Sequence, residues 1–415
     1  MTRVLSVVAL AFIAGALGCT RTTELVEAPA TAACAAPGPP IQLVDGSQSA
    51  CAGALAAQIG RYALCACNDL VLAGNFLVGA FGTPSGSGGP PPPPGGPPPP
   101  ANPWPGSHPV DGLLAHSFFA AVGTDGALRV PGHWDVPGSF ISAGTGDVVL
   151  GTGGHVLGNA HLAGNVHVSS SYWITGDGYL SGDVSGGLVV GATLHAPADA
   201  TVATSVQAKS TKREPVSVAP PCGCASGPAF DVGAAVAARR AKNANAFLPF
   251  SDDLLDDLET AQSVDWPCGE YYLDTIHTGD AGALELRVHG HVGIFVAGDV
   301  RLGNTLSVTL DEGATLDLVV GGSFYATGRV FGSPQTPAST RLWVGSSTVS
   351  LPDQIQFGAF VYAPAAVFSA GQGLSLSGSL FVGTLSVGGD VHISYDPALT
   401  QAGGVCGAAA PAPVQ

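Results

Sequence analysis

The stretch from Gly146 to Gly187 repeats every six residues, and so strict a period leaves few folds open. Cut into sixes it reads GDVVLG, TGGHVL, GNAHLA, GNVHVS, SSYWIT, GDGYLS, GDVSGG. The first position is small throughout: Gly146, Thr152, Gly158, Gly164, Ser170, Gly176 and Gly182. The second is mostly acidic or amide, with Asp147, Asn159, Asn165, Asp177 and Asp183. The fifth is apolar from Leu150 through Val156, Leu162, Val168 and Ile174 to Leu180. Such a unit supplies one apolar residue to an interior, and its Gly and Asn/Asp pair permits a corner because these residues reach positive φ at low cost. Three sides make a coil of about 18 residues, and coils stack at the ~4.8 Å strand spacing. The expected fold is all-β: a single-stranded β-helix, or solenoid, with about 18 residues per coil, a small helical insertion and a Pro-rich loop.

The pattern returns later in looser form. Val288, Ile294, Val300 and Leu306 keep the period of six, and GDVRL (Gly298–Leu302) and GDVHI (Gly389–Ile393) repeat the unit GNVHV of Gly164–Val168. Two solenoid stretches are therefore expected, residues 110–215 (with the hexads at 146–187) and 276–396. Between them, residues 216–275 read as a Cys-rich helical insertion. AAVAARRAKNANAF supplies helix formers, and Ser251 is placed to cap a second helix with Asp252 and Asp253 in its first turn. Residues 51–82 form a Cys-containing segment that begins as a short helix and joins the solenoid as a strand. Residues 83–109 are a Pro/Gly-rich linker suited to an extended spacer, and 397–415 are a tail carrying Cys406.

The N-terminus reads as a secretory signal over residues 1–18. Arg3 is its positive charge, and Val4 to Leu17 form an apolar run too short to span a bilayer comfortably. It ends in Ala16-Leu17-Gly18-Cys19, which resembles a lipobox, so Cys19 is the expected lipidation site and residues 19–50 a lipidated tether. Thr20, where an aspartate would signal inner-membrane retention, favours the bacterial outer membrane. Lipidating Cys19 leaves eight cysteines, an even number that suits disulfides in an exported chain: Cys34, Cys51, Cys65, Cys67, Cys222, Cys224, Cys268 and Cys406. Their connectivity stays open. The rival use of Cys65-Ala66-Cys67 and Cys222-Gly223-Cys224 as zinc pairs is disfavoured, since each pair is separated by one residue rather than two to four.

Charged residues make up 11% of the chain and the formal net charge is −16, which excludes nucleic acid as a partner. His155, His161 and His167 lie six apart. In a hexad solenoid they occupy successive sides and point apart, whereas residues about 18 apart stack. Trp173 is thus expected beside His155 and Tyr179 beside His161. The histidines read as solvated surface groups, with Trp173 and Tyr179 as candidates for a glycan-contact strip; neither a metal site nor a cofactor is expected. The acidic run Asp252, Asp253, Asp256, Asp257 and Glu259 lacks EF-hand spacing and reads as a charged face. No G-x-S-x-G, P-loop, H-E-x-x-H or complete G-x-G-x-x-G motif occurs.

The motifs ALCAC (Ala63–Cys67), PPCGC (Pro220–Cys224), WPCGEYYL (Trp266–Leu273), TLDLVVGGSF (Thr315–Phe324), RLWVGSS (Arg341–Ser347), FVYAPAAV (Phe360–Val367) and HISYDPAL (His392–Leu399) carry a resemblance to uncharacterised bacterial surface lipoproteins common in myxobacteria. Their C-terminal β-helical domain of unknown function also looks like one found beside type IV pilus-associated proteins. The hexads are similar in style to bactofilins. The family's asparagine–aspartate pair after the helix stands here as Asn243-Ala244-Asn245. The resemblance implies fold and location but no reaction. The expected function is that of a cell-envelope lipoprotein with a structural or adhesive, non-enzymatic role, held to the membrane by its lipid and touching surface polysaccharide or further copies of itself. A glycan-binding module is the alternative, and a polysaccharide-active β-helix enzyme a more distant one.

Overall fold

The computed structural model describes residues 38–45, 48–81, 120–224, 229–352 and 354–401. The signal peptide, Cys19, Cys34, the Pro-rich linker and Cys406 lie outside the described residues. What is described is nearly all β, a parallel β-solenoid of about 13 turns with stacked strands about 20 residues apart. No described helix is long and apolar enough to cross a membrane.

The hexads fold as their period demands. Val148 pairs with Val166, Gly154 with Tyr172 and Ala160 with Gly178, all in parallel and each 18 residues on. Fifth-position residues Leu150, Val156, Leu162, Val168, Ile174 and Leu180 are all buried. Second-position Asn and Asp side chains bond the coil above: Asn159 Oδ1 accepts from Asp177 N–H at 2.9 Å and Asn165 Oδ1 from Asp183 N–H at 3.1 Å. Each corner thus satisfies a backbone donor that the turn would otherwise leave unpaired.

The first coils of the second stretch are longer. Leu284 pairs with Leu306, 22 residues on, and Val300 with Phe324, 24 on. Strand Gln262–Leu273 already belongs to this stretch, pairing with Leu284–Val296, so the solenoid begins inside the span expected as helical insertion. Helix α1 is Ala52–Ile59, and α2, Val232–Arg239, is N-capped by Asp231, whose carboxylate accepts from Ala234 N–H. The helix expected after Ser251 is a single 3-10 turn, Asp252–Leu255, with no side-chain cap from Ser251. Leu255 in that turn and Leu258 just after it are buried against the solenoid end, whereas Leu254 is exposed, and a bridge from Leu258 to Thr278 fixes the segment in extended form soon after.

The chain does not run from one end of the solenoid to the other. One interior column, followed by register, is Tyr271, Ile294, Leu318, Leu342, Val361, Leu380, Leu64, Val122, Phe140, Ala160, Gly178, Leu194, Thr211. Leu64, the earliest of these in sequence, lies in the middle. From there the chain coils outward to strand Gln207–Arg213 at one end. Residues 214–221 then run back to the middle, where disulfides join Cys65 to Cys222 and Cys67 to Cys224. Helix α2 follows along the outside, and the chain re-enters at the far end with Gln262 and coils back to meet its own start. The junction is continuous sheet: Leu380 pairs with Leu64, Leu385 with Leu70 and Val391 with Phe76, all in parallel.

Both ends carry polar caps, as an open parallel stack requires. At the Gln262 end the Asn245 side chain imitates a neighbouring strand, donating to Tyr272 C=O at 2.6 Å and accepting from Tyr272 N–H at 2.9 Å. At the other end strand Gln207–Arg213 is polar and exposed, and Arg213 donates to the carbonyls of Pro197 and Ala200.

Candidate functional site

The outward neighbours of that interior column form a second, external column: Tyr272, Phe295, Val319, Trp343, Tyr362, Phe381, Cys65, Gly123, Ile141, His161, Tyr179, His195 and Lys212. Its two halves differ in chemistry. Phe295, Val319, Trp343, Tyr362 and Phe381 are buried under α1 and α2 with Phe230, Val232 and Val236. Arg341 there clamps Asp317 at 2.7 and 2.6 Å, and Trp343 Nε1 donates to the same carboxylate at 2.9 Å, so a fully buried charge has its partners. This half is a packed core.

Beyond the disulfides the column is left to histidine and tyrosine. His161 stacks on Tyr179 and Tyr179 on His195, with ring centroids 4.4 Å apart in both pairs and planes within 14°. His195 Nδ1 bonds the Glu214 carboxylate, which begins the returning segment. Val216 and Val218 of that segment are half-buried while Pro215, Ser217 and Ala219 are exposed, the alternation of a strap laid along the sheet. Burial pulls the His161 imidazole below its ordinary pKa, against the opposing charge of Asp177 and with the help of His195.

His155 lies beside Trp173, ring centroids 6.4 Å apart, as the period of 18 requires. Trp173 and Tyr179 stand on successive sides of the coil, so they form two columns rather than one strip. His167 is on a third side, with its Nδ1 at 2.9 Å from Ser185 Oγ. Stacking also changes what Tyr179 offers: both ring faces are covered by imidazoles, leaving its edge to solvent, whereas sugars pack on ring faces. Trp173 meets His155 at a tilt of 40° rather than face to face.

Asp135 brings together two of the exposed histidines. It sits two residues beyond His133 on strand His133–Val136 and pairs directly with His155 on Gly153–Val156. His133 Nε2 is 2.9 Å from Asp135 Oδ2 and His155 Nδ1 is 3.2 Å from Asp135 Oδ1. Burial works to raise the carboxyl pKa, but the hydrogen bonds and charge of the two imidazoles outweigh it and leave it lowered. Among the described residues this is the group of three side chains able to hold a metal ion, its ligand atoms all within 4.8 Å. His133 and Asp135 precede the strict hexads, and Asp135 and His155 are 20 residues apart rather than 18, so the period alone did not align them.

The acidic run does not converge. Asp252 accepts from Asn245, Asp256 accepts from Thr275 Oγ1 at 3.0 Å, and Asp257 faces His277 at 3.9 Å. A cleft of about 910 Å³ opens beside the disulfides, lined by Arg61, Tyr62, Asn68, Asp125, Pro221 and Phe381 among others. Its Asp125 carboxylate is engaged by the N–H groups of Cys222 and Cys224. The sulfurs of Cys65, Cys67, Cys222 and Cys224 are all in disulfides, and Cys51 and Cys268 are also disulfide-bonded.

These features define a class of protein: a disulfide-stapled parallel β-solenoid whose start and finish meet in its middle. A family model described as Domain of unknown function (DUF7305) matches residues 224–402, from the second disulfide through the whole C-terminal stretch of coils. No curated protein matches the chain, and neither does any solved structure.

Proposed function

We propose that this protein is a bacterial cell-envelope lipoprotein, anchored to the outer membrane through Cys19, whose solenoid is a rigid structural or adhesive element rather than an enzyme. The observation that supports this most is the uninterrupted parallel stack running through the junction of its two stretches. At ~4.8 Å per coil it amounts to a rod of roughly 60 Å. Its far half is sheathed by helices and its strap is bound by two disulfides, a construction suited to bearing load in an oxidising compartment. The lipobox-like Ala16–Cys19 and the resemblance to surface lipoproteins support the location.

Two measurements test the proposal. The full chain, expressed in a diderm bacterium, is expected to incorporate labelled palmitate and to fractionate with the outer membrane. Cys19→Ala should lose both. A screen of envelope and capsular polysaccharides is expected to yield no cleavage products. Lyase or hydrolase activity abolished by replacing a single carboxylate would sink the non-enzymatic reading.

A glycan-binding role is a second reading, favoured by Trp173 beside His155 on an outward face. A glycan array should then give signals that Trp173→Ala removes and Tyr179→Ala largely retains. A blank array for the wild type counts against it.

A further inference from the structure

We propose that His133, Asp135 and His155 form a binding site for one divalent first-row transition-metal ion, zinc or copper. This stands apart from the structural or adhesive reading and does not depend on it.

The geometry is that of a four-cornered patch on two hydrogen-bonded strands. His133 and Asp135 occupy two corners of the outward face, two residues apart. Opposite them lie Gly153 and His155. Three corners thus carry a nitrogen or oxygen donor. The fourth is Gly153, which contributes no side chain, so the remaining coordination position falls to a water or exogenous ligand from the solvent side of the half-exposed His133, Asp135 and His155. Two imidazoles and one carboxylate with an open position suit a borderline cation better than calcium or magnesium, which favour all-oxygen sets.

Distances agree with this. A tetrahedral ion with bonds of ~2.0–2.1 Å holds its ligand atoms about 3.3 Å apart. Here the carboxylate oxygens lie 2.9 and 3.2 Å from the two ring nitrogens, and the full set lies within 4.8 Å. Closing the set around an ion needs its widest separation to shorten by at most about 1.5 Å, which rotation of the half-exposed side chains supplies without backbone movement. The imidazole rings already converge, with centroids 6.4 Å apart and planes at 70°.

The surroundings hold the ligands in place. Asn75 Oδ1, in the preceding coil, accepts from His133 N–H at 2.9 Å. His155 N–H donates to Asp135 Oδ1 at 3.1 Å, tying ligand side chain to ligand backbone. Leu77 pairs with Asp135 from the coil before and Trp173 with His155 from the coil after, so apolar groups rim the patch along its column. Because the donors stand on adjacent strands of a stacked sheet, little chain entropy is lost on binding, which is the condition for a preformed site.

At the metal, each imidazole coordinates through the nitrogen that now faces Asp135, and its remaining proton resides on the other ring nitrogen. The overall charge of the chain, −16, adds a general attraction for cations.

The test uses the purified full chain, stripped with chelator and titrated with Zn2+ or Cu2+ by calorimetry. One equivalent should bind. The Cu2+ form should show electron-spin hyperfine coupling to two imidazole nitrogens. His133→Gln, Asp135→Asn and His155→Gln should each weaken binding at least ten-fold, whereas His289→Gln and His167→Gln should not. All three ligands are about half exposed, so the variants should melt like the wild type in chelator, and only the wild type should gain stability on adding metal. Absence of stoichiometric binding, or binding that survives the double variant His133→Gln/His155→Gln, overturns the proposal.

Discussion

At the level of single residues the solenoid sets two kinds of constraint that the hexads only hint at. The first is backbone proximity. Gly186 has φ +93°, and a Cβ there would meet the carbonyl oxygen of Val168 at 1.7 Å. Gly79 offers the contrast, with nothing within 4 Å of an added Cβ. Gly186→Ala is expected to destabilise by about 2 kcal/mol or more through combined backbone strain and clash, while Gly79→Ala should lie within about half a kcal/mol of wild type. Paired urea unfolding curves check this, and equal midpoints would contradict the close approach. The second constraint is electrostatic. His289 stands between two carboxylates, with Nδ1 at 2.8 Å from Asp311 and Nε2 at 3.1 Å from Asp265. The hydrogen bond with Asp311 and then that with Asp265 raise its pKa against the opposing effect of burial, since only the doubly protonated ring donates to both. A raised histidine contributes stability that is complete below the unfolded pKa of about 6.5 and fades as pH rises through the higher folded value. Arg287 and Glu285, joined to each other on the same strand, are the other charged groups nearby. Melting temperature should therefore fall from pH 6 to pH 8 more steeply for the wild type than for His289→Gln.

Among the elements, the returning strap is the one that the sequence did not make legible. The coils were legible because Leu150 through Leu180 carry the period on one side, with solvent on the other. In the second stretch that alternation fails for a physical reason. Phe295, Val319, Trp343 and Tyr362 point outward yet lie under α1 and α2, so both sides of their strands are apolar. The metal-like triad escaped for a related reason, since a corner two residues longer shifts Asp135 onto His155. Disulfide pairing was open in the sequence, and its consequence depends on the strap. Cys65–Cys222 and Cys67–Cys224 each span 157 residues and enclose almost the same loop. Closing a loop of that length restricts the unfolded chain by about 5 kcal/mol, but a second closure two residues away adds little. Replacing either pair by serines should therefore cost at most about 1–2 kcal/mol, and replacing both substantially more than the sum of the two. Denaturant unfolding of the two single-pair variants and the combined variant distinguishes this from simple additivity.

For the whole molecule, the decisive feature is that the two stretches of coils meet in the middle and advance in the same direction along one axis. Each stretch alone would end there on an open parallel edge, with Leu64 and Phe76 on one side and Leu380 and Val391 on the other. Burying one such apolar side chain is worth ~1.5–3 kcal/mol, and a whole coil face is covered at the junction together with its backbone hydrogen bonds. Tyr395 adds a buried hydrogen bond across it, donating to Gly60 C=O at 3.0 Å. The strap, by contrast, is thinly held: between Glu214 and Pro221 it is extended and mostly exposed. If the junction rather than chain continuity holds the rod together, cutting the strap should leave the fold intact. A protease site placed at Ser217 is expected to give a clipped protein that elutes at the intact size and keeps its β-sheet circular dichroism. Two fragments should appear only on denaturation after reduction, because Cys65–Cys222 and Cys67–Cys224 bridge the cut. The informative condition is clipping followed by reduction in native buffer, where the stacked coils alone join the halves. Co-elution there assigns the rod's integrity to the sheet at Leu64 and Leu380, whereas separation would assign it to the disulfides and leave the junction a contact rather than a continuous core.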